Sequence, residues 1–289
     1  MGAHLSKTKK KFKENTNSEN KTNNIKDDKE NIKDNNYITA EIEITDKEVN
    51  KKINILSSYD DCKRKCKLFT LNFGPSKEDL LFENEKSIKE CIEIKIDEQI
   101  IPFSYTHSFS SPGKYKLKYS FNNYISRLCY LFFECKELTS IDLSHFNSKN
   151  VTNMQCMFEG CHKLESINLT NFNTEMVNNM RSVFNSCWAL KKLDLSSFNT
   201  QNVKSYRGMF QICSALEELD LSNFNMNIES IDISYMFSQC RALKSLNISN
   251  FKSENISEAV DLFFQCYALN EENVICNDRK ILSLVKFKE

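Results

Sequence analysis

Six cysteines stand at 135, 161, 187, 213, 240 and 266, four times 26 residues apart and once 27. Thiols at a fixed interval could ligate a metal, pair as disulfides or act as nucleophiles, and each needs its own geometry. A fixed period means one structural unit stacked on itself, so these side chains should form a file with one member per unit. Neighbouring Cα atoms in such a file lie about 5 Å apart, a separation that disulfide geometry permits. The twelve cysteines of the chain come without an apolar export segment, which argues for a reducing compartment. Free cysteine is a small, buryable side chain. We therefore expect Cys135, Cys161, Cys187, Cys213, Cys240 and Cys266 to be structural thiols. Cys62 and Cys66 have a finger-like spacing, but no second pair at ligand spacing follows them, so no metal is expected.

A second chemistry lies at the start, Met1-Gly2-Ala3-His4-Leu5-Ser6-Lys7. Gly2 and Ser6 fit the N-myristoylation pattern. Lys7, Lys9, Lys10, Lys11 and Lys13 follow, with no acid before Glu14. A single myristoyl chain holds a membrane only marginally, and stable anchoring needs a second signal. Each lysine near an anionic leaflet adds about 1 kcal/mol before screening. The two signals complement each other, so the expected partner of this end is an anionic membrane surface.

Other chemistries find little support. Glycine occurs only at 2, 74, 113, 160 and 208, which leaves no glycine-rich phosphate loop. His4, His107, His145 and His162 form no repeated or paired arrangement, and no G-x-S-x-G or H-E-x-x-H is present. No catalytic residue, no cofactor and no enzymatic activity are expected. The 39 basic and 39 acidic residues balance, so no global field draws the chain to nucleic acid. No apolar run is long enough to span a bilayer.

The elements that must position these residues fall into three stretches. Residues 1–36 are rich in Asn, Lys, Glu and Asp and should form a disordered tether. From 37 to 124 the period becomes two: Tyr37–Ile44, Ile53 and Ile55, Cys91–Ile96, Ile100–Phe109 and Tyr115–Phe121 alternate as strands do, and Asp60–Cys66 looks helical. This reads as a small β-rich α+β domain able to cover the first rung of an array. From 125 to 289 the repeat rules. One unit reads Leu138-x-x-Ile141-x-Leu143-Ser144-x-Phe146-Asn147, then Val151, Met154, Met157, Phe158 and Cys161. The fourth unit inserts one residue, and Val274 to Val285 should form a closing cap.

LxxLxL is the core pattern of leucine-rich repeats, three apolar side chains turned inward from a short strand. The expected fold is a leucine-rich-repeat solenoid, a parallel β-sheet with the MFxxC segments as short helices or turns on the opposite wall. Leu190-Lys191-Lys192-Leu193-Asp194-Leu195-Ser196-Ser197-Phe198-Asn199-Thr200-Gln201-Asn202-Val203 resembles the BspA-type leucine-rich repeat, the 26-residue repeat of bacterial surface proteins. The resemblance covers about 125–270 and implies a surface that binds other proteins. Two residues before each repeat hydroxyl stand Asp142, Asn168, Asp194, Asp220 and Asn247. They should line the exposed strand face and form the candidate binding face, although Asp and Ser there also fit solvated consensus rungs. Asn147, Asn173, Asn199 and Asn225 fit turn hydrogen bonding. Trp188, Arg181, Arg207 and Arg241 are the few anchor-type side chains, off the strand face.

These readings converge on a non-enzymatic protein-binding scaffold, cytoplasmic and peripheral to a membrane through its N-terminus, with an unidentified protein partner. The alternative is a secreted or surface-exposed adhesin-like protein of the same repeat. Four N-x-[ST] sequons begin at Asn150, Asn168, Asn247 and Asn255.

Overall fold

The computed structural model describes residues 35–57 and 88–287. Gly2, the five lysines from Lys7 to Lys13, the expected tether up to residue 34, the helix at 60–66 and the pair Cys62 and Cys66 lie outside the described residues.

The alternating segments near the start form β1 (Tyr37–Ile44), β2 (Lys52–Asn54), β3 (Ile92–Ile96), β4 (Gln99–Ile101), β5 (Thr106–Ser108) and β6 (Gly113–Phe121). The repeats supply β7 (Leu138–Asp142), β8 (Ser166–Asn168), β9 (Glu218–Asp220), β10 (Ile231–Asp232), β11 (Ser245–Asn247), β12 (Ile256–Glu258) and β13 (Val274–Ile275). A short helix, Arg279–Ser283, follows, capped by Asp278, whose carboxylate accepts from the Lys280 and Ile281 N–H groups.

The expected leucine-rich-repeat solenoid, with one parallel sheet and short helices opposite, is not what the chain forms. The largest sheet has six strands in the order β4-β3-β6-β1-β7-β8 and is mixed. β1 lies between β6 and β7, antiparallel to both, and only β7 and β8 run parallel. β13-β11-β9 make a separate three-stranded parallel sheet and β10-β12 a parallel pair. Residues 190–195 of the third unit carry no strand, so the wall is interrupted there.

Two local causes set this outcome. β7, β8, β9 and β11 are each closed by a side-chain turn that the strandless third unit also makes: the Oδ1 of Asp142, Asn168, Asp194, Asp220 and Asn247 accepts from the backbone N–H two residues on, at 2.8–3.2 Å. Such turns compete with strand and helix alike. The MFxxC segments fail to become helical because each holds two residues in the left-handed region. One file of them is Tyr130, Cys156, Ser182, Gly208, Tyr235 and Asp261, with φ between 48° and 62°. The other is Glu134, Gly160, Ser186, Ile212, Gln239 and Gln265, with φ between 55° and 77°. A left-handed residue every few positions cannot propagate a right-handed helix.

The backbone satisfies itself by alternation instead. In one segment Met157, Glu159 and Cys161 donate to carbonyls three residues back, while Met154, Cys156, Phe158 and Gly160 donate to Asn179, Arg181, Val183 and Asn185 of the next unit. Half the N–H groups close turns and half tie unit to unit. Between the units run files of stacked rings. Phe132, Phe158, Phe184, Phe210, Phe237 and Phe263 follow one another at centroid distances of 5.7–6.0 Å with planes within 9°. Each is at most 2% exposed, and burying such a ring contributes about 2–3 kcal/mol. At the N-terminal end Tyr119 meets Phe132 edge-on and Phe121 meets Phe146, so β6 covers the first rings. Tyr119 also donates its hydroxyl to the Ile55 carbonyl at 2.7 Å.

Candidate functional site

All six repeat cysteines are buried and free of disulfides. Five of them point their thiols at the same kind of acceptor. Cys161, Cys187, Cys213, Cys240 and Cys266 place Sγ 2.9–3.3 Å from the carbonyl oxygens of Phe132, Phe158, Phe184, Phe210 and Phe237 of the preceding unit. Burial pushes the Cys213 thiol up to about 12 and drives those of Cys161, Cys187 and Cys240 well above their ordinary value. Neutral S–H donors held this way are poor nucleophiles and poor metal ligands, since both roles require thiolate. The file's chemistry is spent on joining units.

The candidate binding face lies on the outward side of the strands and divides between two shallow depressions. The first, about 510 Å³, spans the six-stranded sheet. Asp142 and Asn168 lie at one side of it, with Thr39, Glu41 and Ser140, and Lys95, Lys116 and Lys118 at the other. Beside its rim Tyr37 is sandwiched, with the Lys118 Nζ 4.0 Å from its ring centroid and His145 stacked at 4.6 Å. The second depression, also about 510 Å³, is lined by Lys192, Asp194, Glu218, Asp220, Asn247 and Ile275 among others. The strandless third unit contributes Lys192 and Asp194 to the second depression.

These acids have a structural duty as well. Burial pushes the Asp142 carboxyl up, but hydrogen bonds from the Ser144 hydroxyl and N–H, and from Asn168, outweigh it and hold the carboxyl below the usual range. Hydrogen bonds from Ser196 lower Asp194, and those from Ser222 and then Asn247 lower Asp220. The three side chains are therefore charged at neutral pH, with one oxygen of each closing its turn. Asn147, Asn173, Asn199 and Asn225 make the equivalent bond at the next corner. A third set, Asn153, Asn179, Ser205 and Asp232, does so at the corner entering the MFxxC segment. This set escapes sequence reading because its residue types vary from unit to unit.

Of the anchor-type side chains, Arg207 bonds Asp232 at 3.3 Å and Glu258 at 3.4 Å and lies 5.0 Å from the Tyr235 ring. Trp188 is 47% exposed and stacks on His162 at 3.7 Å. Arg241 is exposed and donates to the amide oxygens of Gln239 and Gln265. Among the described residues no helix is long and apolar enough to cross a membrane.

The fold and the site define a class: a stacked-repeat protein with a polar, mixed-charge outer wall. The chain belongs to the family described as "Mycoplasma protein of unknown function, DUF285", whose model matches residues 126–244 and 219–282. No curated protein and no solved structure matches it.

Proposed function

We propose that this chain is a non-enzymatic scaffold that binds a protein partner through the outer strand wall and is held at the cytosolic face of a membrane by its N-terminus. The observation that supports it is the placement of two depressions of similar size on one polar wall. Together they gather lysines and ionised aspartates, groups suited to a complementary polypeptide rather than to a reacting small molecule. The membrane part rests on Gly2, Ser6 and the lysine cluster, two weak signals that are strong together.

A photo-crosslinking side chain at Ser166 or Ser245, on the wall, should trap one discrete partner in cells, whereas the same group at exposed Asn178 should not. Equal trapping at all three positions defeats the wall reading. Separately, chain produced with N-myristoyltransferase should float with phosphatidylserine vesicles and lose this on Gly2→Ala. Flotation unchanged by that substitution removes the anchor.

A further inference from the structure

The second depression of the strand wall is the more acidic. Asp194, Glu218 and Asp220 line it against one cation, Lys192, whereas the first sets Lys95, Lys116 and Lys118 against Glu41, Glu98 and Asp142. Its charges are also sorted along the strands. At the strand starts Glu217 pairs with Lys244 at 2.6 Å and lies near Lys191 and Lys192, and Lys244 also feels Glu218. Cations and acids offset each other there. At the strand ends stand Asp194 and Asp220, exposed and without an ion pair among the described residues. Beyond them, residues 196–202 and 222–227 hold no charged side chain. Asp220 is opposite Asn247 of β11, and Asn247 is opposite Ile275 of β13. Ile275 lines the same depression and is 59% exposed. The row thus runs from two carboxylates without a counterion to an uncovered aliphatic side chain, two strand spacings or about 10 Å from Asp220.

The chain itself carries the complement. Lys7, Lys9, Lys10, Lys11 and Lys13 enclose Phe12, with no acid before Glu14. The other dense basic stretch outside the described residues, Lys63 to Lys67, follows directly on Asp60 and Asp61 and encloses no ring. In an extended chain Lys10 and Phe12 project to one side about 7 Å apart, and the length of a lysine side chain makes up the remainder to Asp220. The point of entry fits as well. Asn36 Oδ1 accepts from the Asn147 N–H, and Tyr37 donates its N–H to the His145 carbonyl, so the described chain begins beside the strand end that carries Asp142. From there to the equivalent end of β9 is three rungs, about 15 Å. The stretch from Lys13 to Asn35 can span up to about 75 Å, and the entropy of closing such a loop grows only slowly with its length.

We propose that the segment Lys7–Lys13 docks on the second depression of its own chain, with lysines at Asp194 and Asp220 and Phe12 against Ile275, and that an anionic membrane competes for it. The same lysines cannot meet both surfaces at once. Membrane attachment therefore uncovers this part of the wall, a consequence that rests on the anchor and partner readings given above. The docking itself does not need them.

The test is photo-crosslinking of the full chain, with benzoylphenylalanine in place of Phe12, in dilute low-salt solution without vesicles and mapped by mass spectrometry. The link should form within one chain and fall on residues 245–247 or 273–276. Asp194→Asn combined with Asp220→Asn keeps the turn-closing bonds and should cut the yield about fivefold. Salt at about 1 M should cut it too, as should phosphatidylserine vesicles. No link, a link elsewhere, a link between two chains, or a yield indifferent to the two substitutions overturns the docking. A yield unchanged by vesicles that the chain binds overturns the competition. Flotation with and without Gly2→Ala reads the anchor separately, so failure of the one is distinguished from failure of the other.

Discussion

The Cys187 thiol lies 3.3 Å from the carbonyl oxygen of Phe158, one unit earlier. The same carbonyl also receives the Cys161 N–H at 3.1 Å. One acceptor thus closes a turn within its unit and takes a thiol from the next, which gives the cysteine file a physical reason. Cys187→Ala removes the donor and leaves a small gap in the buried interior, and we expect it to cost about 2 kcal/mol in denaturant unfolding. The native thiols of the file should resist an aromatic disulfide reagent and react only on unfolding. Rapid native labelling of Cys187 would contradict the burial described above.

Left-handed backbone at the two ends of each MFxxC turn predicts how glycine will respond to substitution. Gly208 has φ +60°, and an added Cβ would come within 3.2 Å of the Gln211 Oε1, the end of a flexible side chain. Gly208→Ala should therefore cost about 1 kcal/mol, mostly conformational. At Gly160, φ +77°, the added Cβ would meet the Glu134 Oε1 at 2.6 Å. Gly160→Ala should lose clearly more, and Glu134→Ala should recover part of the difference. Thermal melts of the three variants and the pair decide it.

The repeat, its inward leucines and phenylalanines and its free thiols are legible in the sequence because each occupies one register with one residue type. Sheet topology was not. Nothing in Tyr37–Ile44 announces that this strand will pair antiparallel with Leu138–Asp142, about a hundred residues away, since alternation specifies a strand but not its neighbour. The absence of helix in MFxxC was equally hidden. Apolar residues three or four apart imitate a helical face, while the left-handed corners that prevent it carry Gly only at 160 and 208 and otherwise Tyr, Cys, Ser, Glu, Gln, Asp or Ile. The candidate face was legible as a column of Asp and Asn. Its turn-closing bonds and the division of that wall into two depressions require coordinates.

The turn role of that column can be separated from recognition at Asp194. Its Oδ1 accepts from the Ser196 N–H at 2.9 Å, and Asn168 and Asn247 make the same bond with an amide oxygen. Asp194→Asn should therefore leave stability within about 0.5 kcal/mol of the parent, whereas Asp194→Ala should cost about 1 kcal/mol. If the charge contributes to recognition, partner crosslinking from the wall should fall with Asp194→Asn at unchanged stability. Chemical unfolding and crosslink yield, measured on the same preparations, distinguish the two effects.

Glu159 gives the fold a pH dependence. The side chain is half-buried, and its Oε1 accepts from the Asn185 side-chain amide at 3.4 Å. Burial raises its pKa from 4.5 to about 7, with the Glu134 carboxylate adding to the rise and the Cys156 thiol and Arg181 opposing it. The folded chain therefore holds this proton more tightly than the unfolded chain. The stability it contributes is fully present below pH 4.5 and is lost as the pH rises through about 7. The total is at most about 3 kcal/mol, with a slope no steeper than about 1.4 kcal/mol per pH unit. Glu159→Gln keeps the shape without the charge. The variant should match the parent at pH 5, exceed it at pH 8, and flatten the stability profile between. Parallel profiles for the two proteins across that range would mean that the carboxyl is solvated enough to ionise freely.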